Sequence, residues 1–127
     1  MKTLFEAIYN EYADSTLADS LTALYNTQAP PDATFPYGVF TLVSDVPDWT
    51  FTENFENCLI QFSLFDDSSS PSDICDYFEL LKTIFDFHDL VIGGYTIISF
   101  TREVTNLIRI ENVWHYAATY RIVFQKN

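Results

Sequence analysis

The sequence predicts an α+β fold in which an antiparallel or mixed β-sheet carries an N-terminal helix and one longer helix on one face. Apolar residues alternate with a period of two in the runs 37–43, 56–65 and 114–124, which is typical of half-buried strands. They recur at spacings of three and four in 3–13 and 71–86, which is typical of amphipathic helices. Because the helices precede groups of strands instead of alternating with single strands, we expect an α+β protein.

The chain length supports one domain spanning residues 1–127. Its 127 residues are 48% hydrophobic and 17% aromatic with only 3 glycines, so the composition excludes a disordered or linker-like protein. Twelve Phe, eight Tyr and two Trp are more aromatic surface than one small core usually hides. We therefore expect part of it to face another subunit or partner.

The first predicted helix covers 3–13, because Leu4, Ile8 and Tyr12 form one apolar stripe. Thr3 and Glu6 have the spacing of a capping box, which predicts that the helix begins there. A small, polar connection is expected over 13–19. After it come a short strand at 21–25 and a surface loop at 26–34 that contains two adjacent prolines.

A pair of strands follows. The dipeptide Phe35-Pro36 opens a strand that we expect to end at 45–48, and the next strand covers 56–65. The segment 48–55 is too long for a tight turn, so it is a protruding hairpin tip or an extension of both strands. Its aromatic residues predict a contact with a neighbouring subunit, and the alternative is a flap folded back on the core. These residues are Trp49, Phe51 and Phe55.

The longer helix begins after a serine-rich boundary. Ser70 is the predicted N-cap, Pro71 the first helical residue and Asp73 the acid of the first turn, and the helix runs to about Asp86. Its core stripe is Ile74, Phe78, Leu81 and Phe85.

Two strands close the chain, at 95–102 and 114–124, and we expect them to pair antiparallel. Residues 105–110 extend the first of them or form a strand of their own. The strict alternation of the last strand predicts that one face lies in the core. That face carries Trp114, Tyr116, Ala118, Tyr120, Ile122 and Phe124.

The charge is strongly negative and unevenly distributed. Six Lys and Arg against 18 Asp and Glu give a net charge of −12, which disfavours broad binding to DNA, RNA or an anionic membrane. Residues 90–127 hold four of the cations and two of the acids. Faces of opposite sign can stack head to tail, and the alternative is an acidic domain with chance asymmetry. Arg102 and Arg109 are the candidate contact residues in the basic part.

The chain shows no signal-peptide pattern and no apolar run long enough to span a membrane. Cys58 and Cys75 lie in apolar surroundings that suit reduced thiols of a cytoplasmic protein, and whether they ever pair is left open. His88 and His115 stand alone, without the spacing of a zinc site or a nucleophile elbow. The acids around Asp66-Asp67 suit a solvated helix start better than a cation site. We expect no catalysis, cofactor or metal.

In the order and spacing of its elements, the whole chain resembles the tail terminator, or tail completion, proteins of long-tailed bacteriophages. The resemblance includes the N-terminal helix, Phe35-Pro36-Tyr37 leading into a strand and the acidic turn Asp66-Asp67. It continues with the helix over 71–86 and two closing strands that end near Phe124. The aromatic-rich hairpin is a departure from the family pattern.

The resemblance implies a structural protein, not an enzyme. Family members form a ring, generally a hexamer, that caps the tail tube, stops its polymerisation and offers the docking surface for the head. The implied partners are other copies of the chain, the tail tube protein and a neck or head-completion protein. DNA would pass through the lumen without sequence-specific binding. The implied location is the head–tail junction of a virion assembled in the host cytoplasm.

Two groups of site residues follow as hypotheses. The contacts to a subunit or to the tube are assigned to Trp49, Phe51, Phe55, Arg102 and Arg109. Acids at strand ends are assigned to the lumen, where they would repel phosphates: Asp45, Asp48, Asp66 and Asp67. One alternative is a neck or head-completion protein of the same virion. Another, from a different class, is a small acidic adaptor or inhibitor that mimics nucleic acid.

Overall fold

The structure, a computed structural model, describes residues 2–49, 54–86 and 90–127. Three helices and five strands follow one another along these segments. They are α1 (Lys2–Ala13), α2 (Leu17–Ser20), β1 (Leu24–Asn26), β2 (Tyr37–Trp49), β3 (Asn54–Asp66), α3 (Ser72–Phe85), β4 (Tyr95–Ile110) and β5 (Val113–Lys126).

The five strands form one mixed sheet in the order β1-β2-β3-β5-β4. β1 runs parallel to β2, and the other neighbouring strands are antiparallel. The α+β prediction is confirmed, in its mixed form. β3 and β5 are joined through α3 and β4, and they pair over their full length from Phe55↔Gln125 to Asp66↔Trp114. The sheet centre therefore depends on contacts that are far apart in sequence.

One face of the sheet is covered by α1 and α3, as predicted. The Phe85 ring of α3 stacks on Phe62 with ring centroids 4.6 Å apart, and Phe78 stacks on Tyr116 at 3.9 Å. The whole predicted stripe of α3 is buried. The buried face of β3 is also as predicted, and it carries Cys58, Ile60, Phe62 and Leu64.

The strands are longer than the alternation predicts. Residues 45–48, expected to end a strand, continue β2 as far as Trp49, and β3 begins at Asn54. Of the two alternatives for the hairpin, the extension of both strands is confirmed over the described residues. A register shift between Leu42 and Ser44 explains why the simple alternation stops there. Residues 105–110 likewise extend β4, and its turn into β5 places Glu111 and Asn112 at positive φ.

The helix boundaries and the first strand also differ in detail. Thr3 is already inside α1, so the predicted capping box at Thr3 is wrong. α2 lies where a connection was expected, and its Leu17 is fully buried, which supplies the packing that a four-residue helix needs. β1 covers Leu24–Asn26 instead of 21–25. The Ser70 hydroxyl accepts the Ser72 amide N–H at 3.2 Å, one position before the N-cap, Pro71.

Two further expectations concern the cysteines and membranes. Cys58 and Cys75 are both free thiols, the first buried and the second half-buried. Across 2–49, 54–86 and 90–127, the structure contains no helix with the length and apolarity that a membrane crossing requires.

Candidate subunit-contact surfaces

The β2–β3 hairpin brings two of its three predicted contact residues to one end of the sheet. Trp49 pairs with Asn54 at the end of the ladder, and the half-buried Phe55 pairs with Gln125 of β5. Phe51 lies outside the described residues. The edge of β2 beside this end is exposed, because β1 covers only Gly38 to Phe40.

A carboxyl pair lies on the same hairpin. The carboxylate oxygens of Asp45 and Glu56 and the Sγ of Cys58 all lie within 4.8 Å of one another. A side-chain hydrogen bond with Asp45 raises the pKa of Glu56, and desolvation by burial and the negative charge of Asp45 act in the same direction. Burial, followed by Asp45, raises the pKa of Cys58 to about 12, so this thiol is neutral. Metal binding through Cys58 would require the thiol proton to leave, which makes this donor set a poor one.

The four acids assigned to a lumen do not lie together. Asp45 and Asp48 are on β2 near the hairpin end, whereas Asp66 and Asp67 lie at the opposite end of β3. Asp45 pairs with Cys58, and the eight residues from there to Asp66 span about 26 Å at roughly 3.3 Å per residue. One ring of charge cannot contain all four side chains.

Asp66 also differs from the other acids in its burial. It is only 3% exposed, and its Oδ2 has no hydrogen-bond partner among the described residues. Its neighbour Asp67 is exposed. Asp66 therefore presents no charge on the surface of this protomer, and its assignment to a lumen wall is corrected. Sequence cannot separate these two neighbouring acids except by strand alternation, which continues through Asp66 and places it toward the helices.

Arg102 connects the edge strand to the core. Its Nη2 lies 3.3 Å from Asp86 Oδ2, and its guanidinium carbon lies 5.7 Å from the centroid of the Phe78 ring. The Tyr120 hydroxyl donates a hydrogen bond to the other carboxylate oxygen of Asp86, Oδ1. Burial, and then this hydrogen bond, raise the pKa of Tyr120. Arg102 thus has an intramolecular role that the sequence did not reveal.

Arg109 lies at the far end of β4. Its Nη1 donates to the Ser69 carbonyl oxygen at 3.0 Å, and the guanidinium lies 4.8 Å from the Trp114 ring centroid. Trp114 Nε1 in turn donates to the Ser68 carbonyl oxygen at 3.0 Å. Among the described residues, no carboxylate lies within 4 Å of this guanidinium. Arg109 is exposed and keeps its charge available for a partner.

The outer edge of β4 is an apolar surface that the sequence prediction missed. β4 is the last strand of the sheet, and no strand in the part of the chain that the structure describes pairs with its backbone groups that point away from β5. Beyond the register shift between Arg102 and Val104, the strand exposes four large aliphatic side chains. We call them the β4 aliphatic edge: Val104, Leu107, Ile108 and Ile110. The adjacent apolar pair Leu107-Ile108 could have indicated this surface, because a strand that buries only one face does not need apolar residues on both faces.

A groove lies at the opposite edge of the sheet, between α1 and β1. Its volume is about 390 Å³, and its lining is mainly apolar, with Glu6 among the polar residues. Tyr9 is 48% exposed although it is aromatic, and Phe5 packs edge-on against Phe40 with ring centroids 6.0 Å apart. We call it the α1–β1 groove. Its lining consists of Phe5, Glu6, Tyr9, Asn10, Leu24, Asn26 and Phe40.

The uncovered face of the sheet carries a second groove, of about 410 Å³ and more polar. Tyr37, Gln61 and His115 contribute to it, and the His115 ring stacks on Phe65 at 4.5 Å. Burial lowers the pKa of His115, whose Nε2 has no hydrogen-bond partner among the described residues. His88 lies outside the described residues.

Comparison with known proteins shows that this fold recurs in solved structures. A chain of a solved structure described as "Virion of native gene transfer agent (GTA) particle" superposes with a TM-score of 0.77. The match covers 94% of this chain and 92% of that one, at 17% sequence identity. No protein-family model matches the sequence, and no curated protein matches it. The arrangement of helices and strands is therefore that of a chain found in a virion, reached by a very different sequence.

Proposed function

We propose that this protein is a structural component of a tailed, phage-like virion, and that it forms the ring that caps the tail tube. The observation that carries the proposal is the match of nearly the whole chain to a virion chain of a gene transfer agent, a phage-like particle. The sequence resemblance to tail terminator proteins supplies the position in the virion. In this function the protein stops tube growth and provides the surface on which the head docks.

The surfaces described above support a role in assembly. In a ring with head-to-tail contacts, each subunit has two different patches, and each patch binds the complementary patch of a neighbour. The β4 aliphatic edge and the α1–β1 groove are two such apolar patches on opposite edges of the sheet. We propose the tube-facing contacts for the hairpin end with Trp49, Phe51 and Phe55.

We propose that acids of the ring face the lumen and keep DNA from adhering during passage. The candidates are Asp45, Asp48 and Asp67, because Asp66 is buried. Asp45 and Asp48 lie near the hairpin end of the strands, and Asp67 lies at the opposite end. Like charge leaves phosphates no attractive site on the wall. Replacing all three by Asn should slow DNA delivery and lower infectivity. Unchanged infectivity of the triple variant would reject the lumen assignment.

The decisive experiment is electron microscopy of tails assembled with and without this protein. If it is the terminator, tubes overgrow in its absence, and in its presence they have uniform length with a ring at one end. A neck or head-completion protein would instead bind portal complexes and leave tube length unchanged. A nucleic-acid mimic would remain a monomer or dimer, and it would bind neither tubes nor portals.

A further inference from the structure

We infer that the ring contact joins the outer edge of β4 in one copy to β1 and the α1–β1 groove of the next. This inference deepens the proposed function, on which it rests, by naming the two surfaces and their register. Both surfaces are incomplete in the single protomer. β4 has an unpaired backbone edge with exposed aliphatic side chains, and the groove is an apolar hollow beside the other unpaired edge.

The two surfaces lie at the same height along the strands. Following the ladder across the sheet, Leu24 is level with Gly38, Leu64, Tyr116 and Leu107. Two residues further along β1, Asn26 is level with Thr105, and the ladder between them passes through Phe40, Phe62 and Ala118. A copy that continues the sheet edge to edge therefore sets its β1 beside residues 105–107 without sliding along the strands. Such a head-to-tail contact closes into a ring when the rotation from one copy to the next divides a full turn.

Strand direction agrees with this arrangement. β1 is parallel to β2, and β2 and β4 run in opposite directions, because β2, β3, β5 and β4 alternate in the sheet. When the next copy has the same orientation, its β1 therefore runs antiparallel to β4. Antiparallel pairing would satisfy backbone donors and acceptors on both edges.

The side chains agree with it as well. Leu107 pairs with Tyr116, whose ring packs on α3, so Leu107 belongs to the helix-covered face. The α1–β1 groove opens on that same face, since Phe5 and Tyr9 of α1 line it. Leu107 of one copy is thus placed to enter the groove of the next. It is 38% exposed in the protomer, and this contact would remove that apolar surface from water.

Charge complements the apolar contact. Residues 2–49 contain seven acids and Lys2 as their one cation, whereas 90–127 contain four cations and two acids. Arg109 is two residues beyond Leu107 and on the same face. Glu6 lies in the groove lining with its side chain 59% exposed, and its Oε1 is 3.9 Å from the Nζ of the exposed Lys2. Arg102 and Arg121 are already paired with Asp86 and Glu103, so Arg109 is the cation of the β4 edge that can face Glu6, and this charge pair favours the head-to-tail contact.

Two single variants and their mixture test the inference. Leu107→Lys places a charge on the β4 edge, and Tyr9→Lys places one in the groove. Both lower the net negative charge of the subunit, so lost assembly cannot come from a larger overall charge. Val91→Lys is the matched control, because Val91 is 83% exposed and outside the sheet. Assembly is measured by analytical ultracentrifugation of the free protein and by microscopy of rings on tail tubes. Circular dichroism checks that each variant is folded.

We expect each variant alone to associate at least about tenfold more weakly, which is about 1.4 kcal/mol, while Val91→Lys forms rings like the wild type. The mixture of the two variants should yield dimers and no rings, because one intact edge and one intact groove allow a single junction. If Tyr9→Lys assembles normally while Leu107→Lys does not, two β4 edges pair with each other and the inference is wrong. Normal rings from both variants also overturn it.

The outcomes separate this inference from the proposed function. Rings that depend on Leu107 and Tyr9 but leave tube length unchanged would keep the contact and reject the terminator. Rings that cap tubes regardless of both substitutions would keep the terminator and reject the contact. A wild-type protein that self-associates neither in solution nor on tubes would reject both.

Discussion

β4 and β5 are the two strands of one hairpin and have similar lengths, but they differ in what covers them. β5 buries Ala118, Tyr120, Ile122 and Phe124 under the helices. β4 is also rich in aliphatic residues, yet Phe100 is its only buried residue. The difference lies in pattern: β5 alternates strictly, whereas β4 is apolar on both faces near Leu107-Ile108. Apolarity on both faces of an edge strand indicates a surface that a neighbour covers.

The largest expected effect is a contrast between two isoleucines. Ile122→Ala removes a fully buried side chain from β5 and should lower the free energy of unfolding by about 2 to 5 kcal/mol. Ile110→Ala, at a residue that is 61% exposed on β4, should change it by less than about 0.5 kcal/mol. Urea unfolding of the monomer measures both. If both substitutions lowered the free energy of unfolding equally, Ile110 would be packed within the protomer and would not be free for a neighbour.

A smaller effect is expected at the link that ties β4 to the core. Tyr120→Phe removes the hydroxyl that donates to Asp86, and leaves that carboxylate with Arg102 alone. The loss should be about 1 to 2 kcal/mol, because the hydrogen bond is partly buried and its acceptor is charged. Denaturant unfolding of Tyr120→Phe, with Thr96→Val as a control at an exposed β4 hydroxyl, measures it. A neutral Tyr120→Phe would mean that Arg102 alone fixes β4 here.

The uncovered face of β5 should respond to acid. Burial lowers the pKa of His115 in the folded state, so the unfolded chain binds more protons below its ordinary pKa of 6.5. The contribution of His115 to the free energy of unfolding should therefore be fully present above pH 6.5 and should decrease as the pH falls below that value. His115→Gln, which cannot charge, should remove this part of the pH dependence in thermal melts between pH 7.5 and 5. An unchanged slope would mean that another group causes it.

The smallest effect is expected at the hairpin end, where Glu56 faces Asp45. The raised pKa of Glu56 means that the folded state holds its proton more tightly than the unfolded chain. The favourable contribution is complete below the unfolded value of 4.5 and is lost as the pH rises through the folded pKa. Glu56→Gln should thus stabilise the protein slightly at neutral pH and not at pH 4. A loss at neutral pH would show that the charged form is preferred.

Most of the core was predictable from sequence, because its residues follow simple periods. The stripe from Ile74 to Phe85 and the alternation around Phe62 each define one face, and burial there confirms them. Strand ends were less predictable. A register shift after Leu42 interrupts the alternation, and exposed strands beyond it carry no periodic signal.

The site was predictable only in part. The charge distribution indicates the basic strand with Arg102 and Arg109, but the partners of these side chains, Asp86 and Ser69, are distant in the chain. The α1–β1 groove depends on how α1 packs beside β1, and no local pattern encodes that packing. Asp66 and Asp67 are equivalent as residue types, and only the pleat of β3 separates the buried one from the exposed one.

The pairing of β3 with β5 also has a consequence for synthesis. β5 leaves the ribosome well after β3, and Phe55 must wait for Gln125, 70 residues later, before its ladder closes. Until then the β2–β3 hairpin can form, but the apolar face from Cys58 to Leu64 lacks its central neighbour. Pairing between strands so distant in sequence makes folding slow and leaves intermediates that aggregate through their exposed apolar surface. We therefore expect the nascent chain to depend on chaperones during this interval, and loss of the last ten residues to abolish folding altogether.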